Sequence, residues 1–246
     1  MPWRHLRRRA GKLPLVGHQT AWLWLVALLC LWGCAGPKKT PPPPLVLGLT
    51  GKAESVEATL HSVIIPGGPD SWFKGACWDE YVVTISNEGT TPLTIAAASL
   101  EDIIGQPQLS TVELEVLGKT CIENWKAYRK ANVPVTKEQF EGAVTGAAAA
   151  PLLLIMVALN PADLILLPFA LVSVSNDRKK IEKEFGQRNL ACPLVLEPGT
   201  KAMGSLFFPL TAGPRRLVLK TQCEGRPVEL AIPLDALAQL HLVAKP

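Results

Sequence analysis

The chain has 246 residues, 25 of them Lys or Arg and 21 Asp or Glu, for a formal net charge of +4. Five of the basic residues and none of the acidic ones fall within residues 1–33, so from residue 34 onward 20 basic side chains face 21 acidic ones, a balance of −1. That remainder carries no basic field for a phosphate backbone, which argues against a nucleic-acid partner, and its 213 residues suffice for one domain with a sizeable core.

In chain order, Arg4, Arg7, Arg8, Arg9 and Lys12 form a positive segment ahead of an uncharged run of 12 residues, Ala21–Trp32 (AWLWLVALLCLW). A bilayer-spanning helix needs about 20 apolar residues, so this run is short for a permanent anchor and has the layout of an export signal. Small Gly33 precedes Cys34, and the run Leu31-Trp32-Gly33-Cys34 resembles the lipobox of bacterial lipoprotein signal peptides. The resemblance implies cleavage before Cys34 and attachment of a diacylglycerol to its thiol; the alternatives are a non-lipidated secretory signal and an uncleaved anchor. Ala35 stands where an aspartate favours inner-membrane retention in enteric-type sorting, so the resemblance implies the periplasmic face of the outer membrane.

Residues 34–44 follow as a tether: Gly36–Pro44 (GPKKTPPPP) ends in four prolines that favour a stiff polyproline II rod. From residue 45 the text is β-like. Val56, Ala58, Leu60, Ser62 and Ile64 alternate with more polar neighbours, Tyr81–Ile85 (YVVTI) is β-branched and aromatic, and Asn87-Glu88-Gly89 turns the chain into Pro92–Ala97. Val112, Leu114 and Val116 alternate with Glu113 and Glu115 as in a strand, and Thr120–Lys130 reads as a helix with Thr120 and Glu123 placed as a capping box. Strands return at Pro193–Leu196, Gly204–Pro209, Arg215–Thr221 and Pro227–Ile232. Seven or eight short strands with regular turn signals predict a mainly β domain over 45–246, an antiparallel β-sandwich interrupted at about 120–190 by a helical insertion.

Two stretches carry a second resemblance. YVVTISNEGTTPLTI (Tyr81–Ile95) and LEPGTKAMGSLFFPL (Leu196–Leu210) are similar to strand-turn signatures of telokin-like, immunoglobulin-like domains that recur in bacterial surface and periplasmic lipoproteins. The resemblance covers about 30 residues. It implies an immunoglobulin-like β-sandwich and brings no active site.

The insertion centres on Gly142–Ser175, an apolar stretch whose one charge is Asp163. Gly142 and Gly146 make a small-xxx-small stripe, Leu152, Leu153 and Leu154 continue the first arm, and Asn160-Pro161 reads as the cap and first position of a second arm carrying Leu164, Leu166 and Phe169. Lys126, Arg129, Lys130 and Lys137 flank it before, and Arg178, Lys179, Lys180 and Lys183 after. This helical hairpin either packs on the sandwich with its basic flanks solvated, which is the expectation, or meets the membrane or an apolar partner through those Gly, Leu and Phe side chains.

Of six cysteines, Cys30 leaves with the signal and Cys34 takes the lipid, leaving Cys77, Cys121, Cys192 and Cys223. Disulfides persist in an exporting compartment. Of three connectivities, Cys121–Cys192 is the expectation because it brackets the apolar insertion, with Cys77–Cys223 as the second bridge; four free buried thiols are the alternative. No Cys/His spacing suits zinc, and the chain lacks a nucleophile elbow, a phosphate-cradling Gly loop and HExxH, so neither metal, cofactor nor enzyme activity is expected. His61 and His241 are read as surface or edge residues, and Trp72 and Trp78 as core or rim. The function expected is an interaction or structural module of the cell envelope, held to the membrane by its lipid and working through an envelope protein partner. The alternative is a membrane-active transport or assembly component that uses residues 142–175.

Overall fold

The computed structural model describes residues 46–73, 75–136, 140 and 167–243, with backbone alone for 167–176. Two antiparallel sheets make up the domain, consistent with a β-sandwich. The first runs in the order β1-β2-β3-β7, with β1 Val46–Ala53, β2 Val56–Ile64, β3 Trp78–Asn87 and β7 Lys201–Pro209. The second runs β5-β4-β8-β9, with β4 Leu93–Glu101, β5 Pro107–Leu109, β8 Arg216–Cys223 and β9 Arg226–Pro233. A short β6, Leu194–Leu196, pairs with Leu93–Ile95 of β4.

The strands follow their side chains. On β3, Tyr81, Val83 and Ile85 are fully buried on one face, the period-2 pattern of a sheet whose one side meets a core. They join Val56, Ala58 and Leu60 from β2, Leu93, Ile95 and Leu100 from β4, and Leu217, Leu219, Leu230 and Ile232 from β8 and β9 in a core shared by both sheets. The alternation on β2 breaks where sequence periodicity predicts it to continue: the pairing with β3 shifts between Leu60 and Ser62, so Val63 points inward and Ile64 is only half-buried. A bulge moves the inward face by one residue. Two-residue turns close the β1–β2 and β8–β9 hairpins; in β8–β9, Glu224 at φ 52° and Gly225 at φ 76° both have the positive φ that a type I′ turn requires. Where the outer strand of one sheet meets that of the other, a Cβ on Gly51 of β1 would lie 2.5 Å from the Ala231 carbonyl oxygen of β9. Only glycine permits that approach.

Two helices are described between β5 and β6. Helix α1 spans Leu114–Lys130 and helix α2 spans Leu167–Arg188. The predicted strand at Val112–Val116 is therefore corrected: from Leu114 it is the start of α1, capped by Glu113 without a side-chain hydrogen bond. Thr120 lies mid-helix, so the predicted capping box does not form there. The reason is spacing. Five alternating residues fit a strand, but Leu114, Leu117, Cys121, Asn124 and Tyr128, all buried, recur at helical intervals that the longer window favours.

The helices and the ends of β3 and β7 enclose a second apolar cluster. It holds Cys77, Trp78, Leu117, Cys121, Tyr128, Phe140, Ile181, Phe185, Phe207 and Leu210. Phe185 stacks obliquely on Phe207 at 4.4 Å and meets Trp78 edge-on at 5.1 Å. Trp78 is buried and Trp72 half-buried beside it, the core and rim positions expected. Among the described residues, no helix is long and apolar enough to cross a membrane.

Candidate functional site

The sequence candidates divide by where they fall. Cys34, Gly142, Gly146, Leu152, Leu153, Leu154, Leu164 and Leu166 lie outside the described residues, and Phe169 has a described backbone only. The basic flank that is described, Lys126, Arg129 and Lys130 on α1 and Arg178, Lys179, Lys180 and Lys183 on α2, is solvent-exposed. Arg178 bridges the helices by pairing with Glu115 at 3.3 Å and with Glu182 at 2.8 Å.

The four cysteines are free thiols, and the predicted pairings are corrected. Cys77 and Cys121 belong to the helix-side cluster, whereas Cys223 belongs to the sandwich core with Cys192 packed against it. Both Cys121–Cys192 and Cys77–Cys223 would have to join one cluster to the other. Cys192 and Cys223 also stand apart, because β6 and β8 pair with opposite edges of β4. Two strand spacings, about 9–10 Å, exceed the Cα separation of about 7 Å that a disulfide tolerates.

Consecutive carboxylates of β3 leave opposite faces of the strand. Asp79 points into the interior, where its Oδ2 lies 2.7 Å from His241 Nε2, both side chains fully buried. His241, expected at the surface, is thus a core residue, a correction that no local pattern announces because its partner lies 162 positions away. Among the described residues, Asp79 Oδ1 and the Tyr81 hydroxyl are buried and find no hydrogen-bond partner. Glu80 points the other way and accepts hydrogen bonds from Ser205 Oγ at 2.6 Å and Trp72 Nε1 at 2.7 Å. Arg188 of α2 also reaches it at 3.5 Å while lying over the Trp72 ring. Burial pushes the Cys77 thiol up to about 12, and a protonated thiol is no nucleophile. Among the described residues, no group of three or more His, Cys, Asp or Glu side chains is poised to hold a metal ion.

A third polar hub joins the stretches Tyr81–Ile95 and Leu196–Leu210. The Asn87 side chain donates to the carbonyls of Thr91 at 2.8 Å and Leu196 at 2.9 Å and accepts from the Gly89 N–H at 3.0 Å. The Asn87 backbone carbonyl accepts from the Gly199 N–H at 2.9 Å. The turn at Asn87-Glu88-Gly89 and the turn at Pro198-Gly199 are therefore locked to one residue, and β3 and β7 pair in register from Trp78↔Pro209 to Ser86↔Lys201.

Among the described residues, an open groove of about 390 Å³ lies beside β4. On that edge β6 covers Leu93–Ile95 and β5 covers Ser99–Glu101, leaving Ala96–Ala98 between them. Small alanines form its floor, and Leu109–Glu113 and Asn189–Cys192 its walls. Leu109 (62% exposed) and Val112 (37%) line it, and Val195 (57%) is likewise exposed on the adjoining β6. The sequence gives no warning of the groove, because it arises from two short strands sharing one edge. Neither the protein-family models, the curated proteins nor the solved structures compared with the chain gave a match.

Proposed function

We propose that the chain is an exported, lipid-anchored protein of the bacterial cell envelope whose folded domain acts as an interaction or structural module. The observation that carries the reading is the N-terminal order of five cations, a 12-residue uncharged run and Leu31-Trp32-Gly33-Cys34. Cys34 would hold the lipid, and the Pro-rich tether would lift the domain off the periplasmic face of the outer membrane.

Strand order supports an immunoglobulin-like domain. Taking β2, β3 and β7 as strands A, B and E, and β4, β8 and β9 as C, F and G, gives sheets A-B-E and C-F-G, the arrangement of a constant-type immunoglobulin sandwich without strand D. The helical insertion occupies the C-to-E connection. Such a domain works through its surface, and the groove beside Ala96–Ala98 is the surface feature that suits an apolar side chain of an envelope protein.

The test is Cys34→Ser. Two or more acyl chains, at about 0.8 kcal/mol per buried CH₂, hold a protein durably on a membrane where an unmodified terminus does not. The wild type is expected in the membrane fraction and labelled by radioactive palmitate; the Ser variant is expected to be unlabelled and released. A Ser variant as fully membrane-bound as the wild type would contradict the anchor.

A further inference from the structure

We propose that Cys77 and Cys121 are a disulfide-forming pair that fastens α1 to the start of β3. Cys77 immediately precedes β3 and faces Leu210, which immediately follows β7: the Leu210 N–H donates to the Cys77 carbonyl at 3.1 Å. The other side of Leu210 belongs to α1, where Asn124 donates its amide to the Leu210 carbonyl at 3.2 Å. Cys121 lies three residues before Asn124 on the same buried face of that helix. Both residues thus meet the backbone of Leu210, Cys77 through its own carbonyl, and both thiols are buried in one apolar cluster, at 1% and 0% exposure. A Cys77 thiolate would oppose ionisation of Cys121, and the Leu210 backbone meets the Cys121 sulfur.

The other two thiols are placed elsewhere. Cys223 lies against Thr91 Oγ1 at 3.3 Å, and the Cys192 thiol points to the Leu190 carbonyl at 3.8 Å. They flank opposite edges of β4, so neither can reach the other.

The bond forms by exchange with a disulfide donor. One cysteine thiolate attacks a sulfur of the donor and expels one donor thiolate. The second cysteine thiolate then attacks the mixed disulfide and expels the other. Two S–H bonds are lost and one S–S bond forms; the two electrons reduce the donor to two thiols, which take up the two protons. Because the docked thiols are buried, the exchange takes place while α1 is still undocked, during folding. The inference is independent of where the protein resides, since a glutathione mixture supplies the donor.

The test uses the full chain carrying Cys30→Ser and Cys34→Ser, so that four thiols compete. It is reduced in denaturant, refolded in detergent with oxidised and reduced glutathione, then denatured in an alkylating agent at acid pH and mapped by mass. The expected product joins the Cys77 and Cys121 peptides and carries the alkyl label on Cys192 and Cys223. A link through Cys192 or Cys223, or label on all four thiols, overturns the pairing. Melting gives an independent readout. Reductant should lower the melting temperature of the Cys192→Ala/Cys223→Ala variant and leave that of the Cys77→Ala/Cys121→Ala variant unmoved; the reverse pattern overturns the proposal.

Discussion

Asp79 and Glu80 divide the polar work of β3 because adjacent residues on a strand face opposite ways. Asp79 anchors His241 near the chain's C-terminal end, and Glu80 gathers Trp72, Ser205 and Arg188 on the helix side. Removing one partner of a buried polar pair costs more than the pair contributes, because the survivor stays desolvated. Asp79→Ala is therefore expected to lower unfolding free energy by on the order of 3 kcal/mol, and Asp79→Asn, which keeps an acceptor at that site, by clearly less. Urea unfolding of the two variants checks this, and equal losses would mean the pair contributes through shape alone. At this scale little was legible beforehand. That Asp79 and Glu80 part company follows from strand geometry, but the partner of each comes from a distant stretch, and His241 carries no motif around it. Asn87 and Gly89 were legible as a turn because their chemistry is local.

The elements were legible wherever one period ran long enough. YVVTI gave β3 its centre, and Asn87-Glu88-Gly89 gave its end. VELEV misled because five residues satisfy strand and helix alike; only the buried sequence Leu114, Leu117, Cys121, extended to Tyr128, decides for the helix. Helix α2 docks its described C-terminal half through Ile181, Phe185 and Arg188, while Arg178 to Lys180, Glu182 and Lys183 face solvent. Phe185→Ala removes the ring that meets Phe207, Trp78 and Trp72, and such truncations cost about 3–5 kcal/mol when buried. The expected result is local: hydrogen exchange quickens across 177–188 while β3 and β8 amides remain protected. Uniform loss of protection would show the helix and sandwich to be one cooperative unit. Where β1 meets β9, Gly51→Ala places a methyl 2.5 Å from the Ala231 carbonyl oxygen, and neither strand can yield without breaking its ladder. A loss of about 1–3 kcal/mol is expected in thermal unfolding, and an unchanged melting temperature would contradict the close approach.

The described residues form two cores, one between the sheets and one under the helices, and the thiols of Cys77 and Cys121 report on the second. Burial raises Cys77 to about 12 from its ordinary 9.0, and burial, then the Cys77 and Asp79 charges, raises Cys121 well above its ordinary value. Above pH 9 the unfolded chain's thiols ionise while the buried ones keep their protons, so the folded state binds more protons and loses stability as pH rises towards 12. Stability is full below pH 9 and falls at up to about 1.4 kcal/mol per pH unit per thiol. Urea unfolding at pH 8, 9 and 10 should show this slope in the reduced protein and a shallower one once Cys77 and Cys121 are joined; equal slopes would contradict the pairing. A signal-like order of residues was legible at this scale because it occupies one short contiguous stretch. The groove beside β4 was not, because it is made by the meeting of three strands. The most direct measurement of the central claim is the mass of the N-terminal peptide of the protein isolated from its native cells. The account predicts a chain that begins at Cys34 and carries a diacylglyceryl group on sulfur. A peptide that begins at Met1, or an unmodified one that begins beyond Cys34, would contradict it.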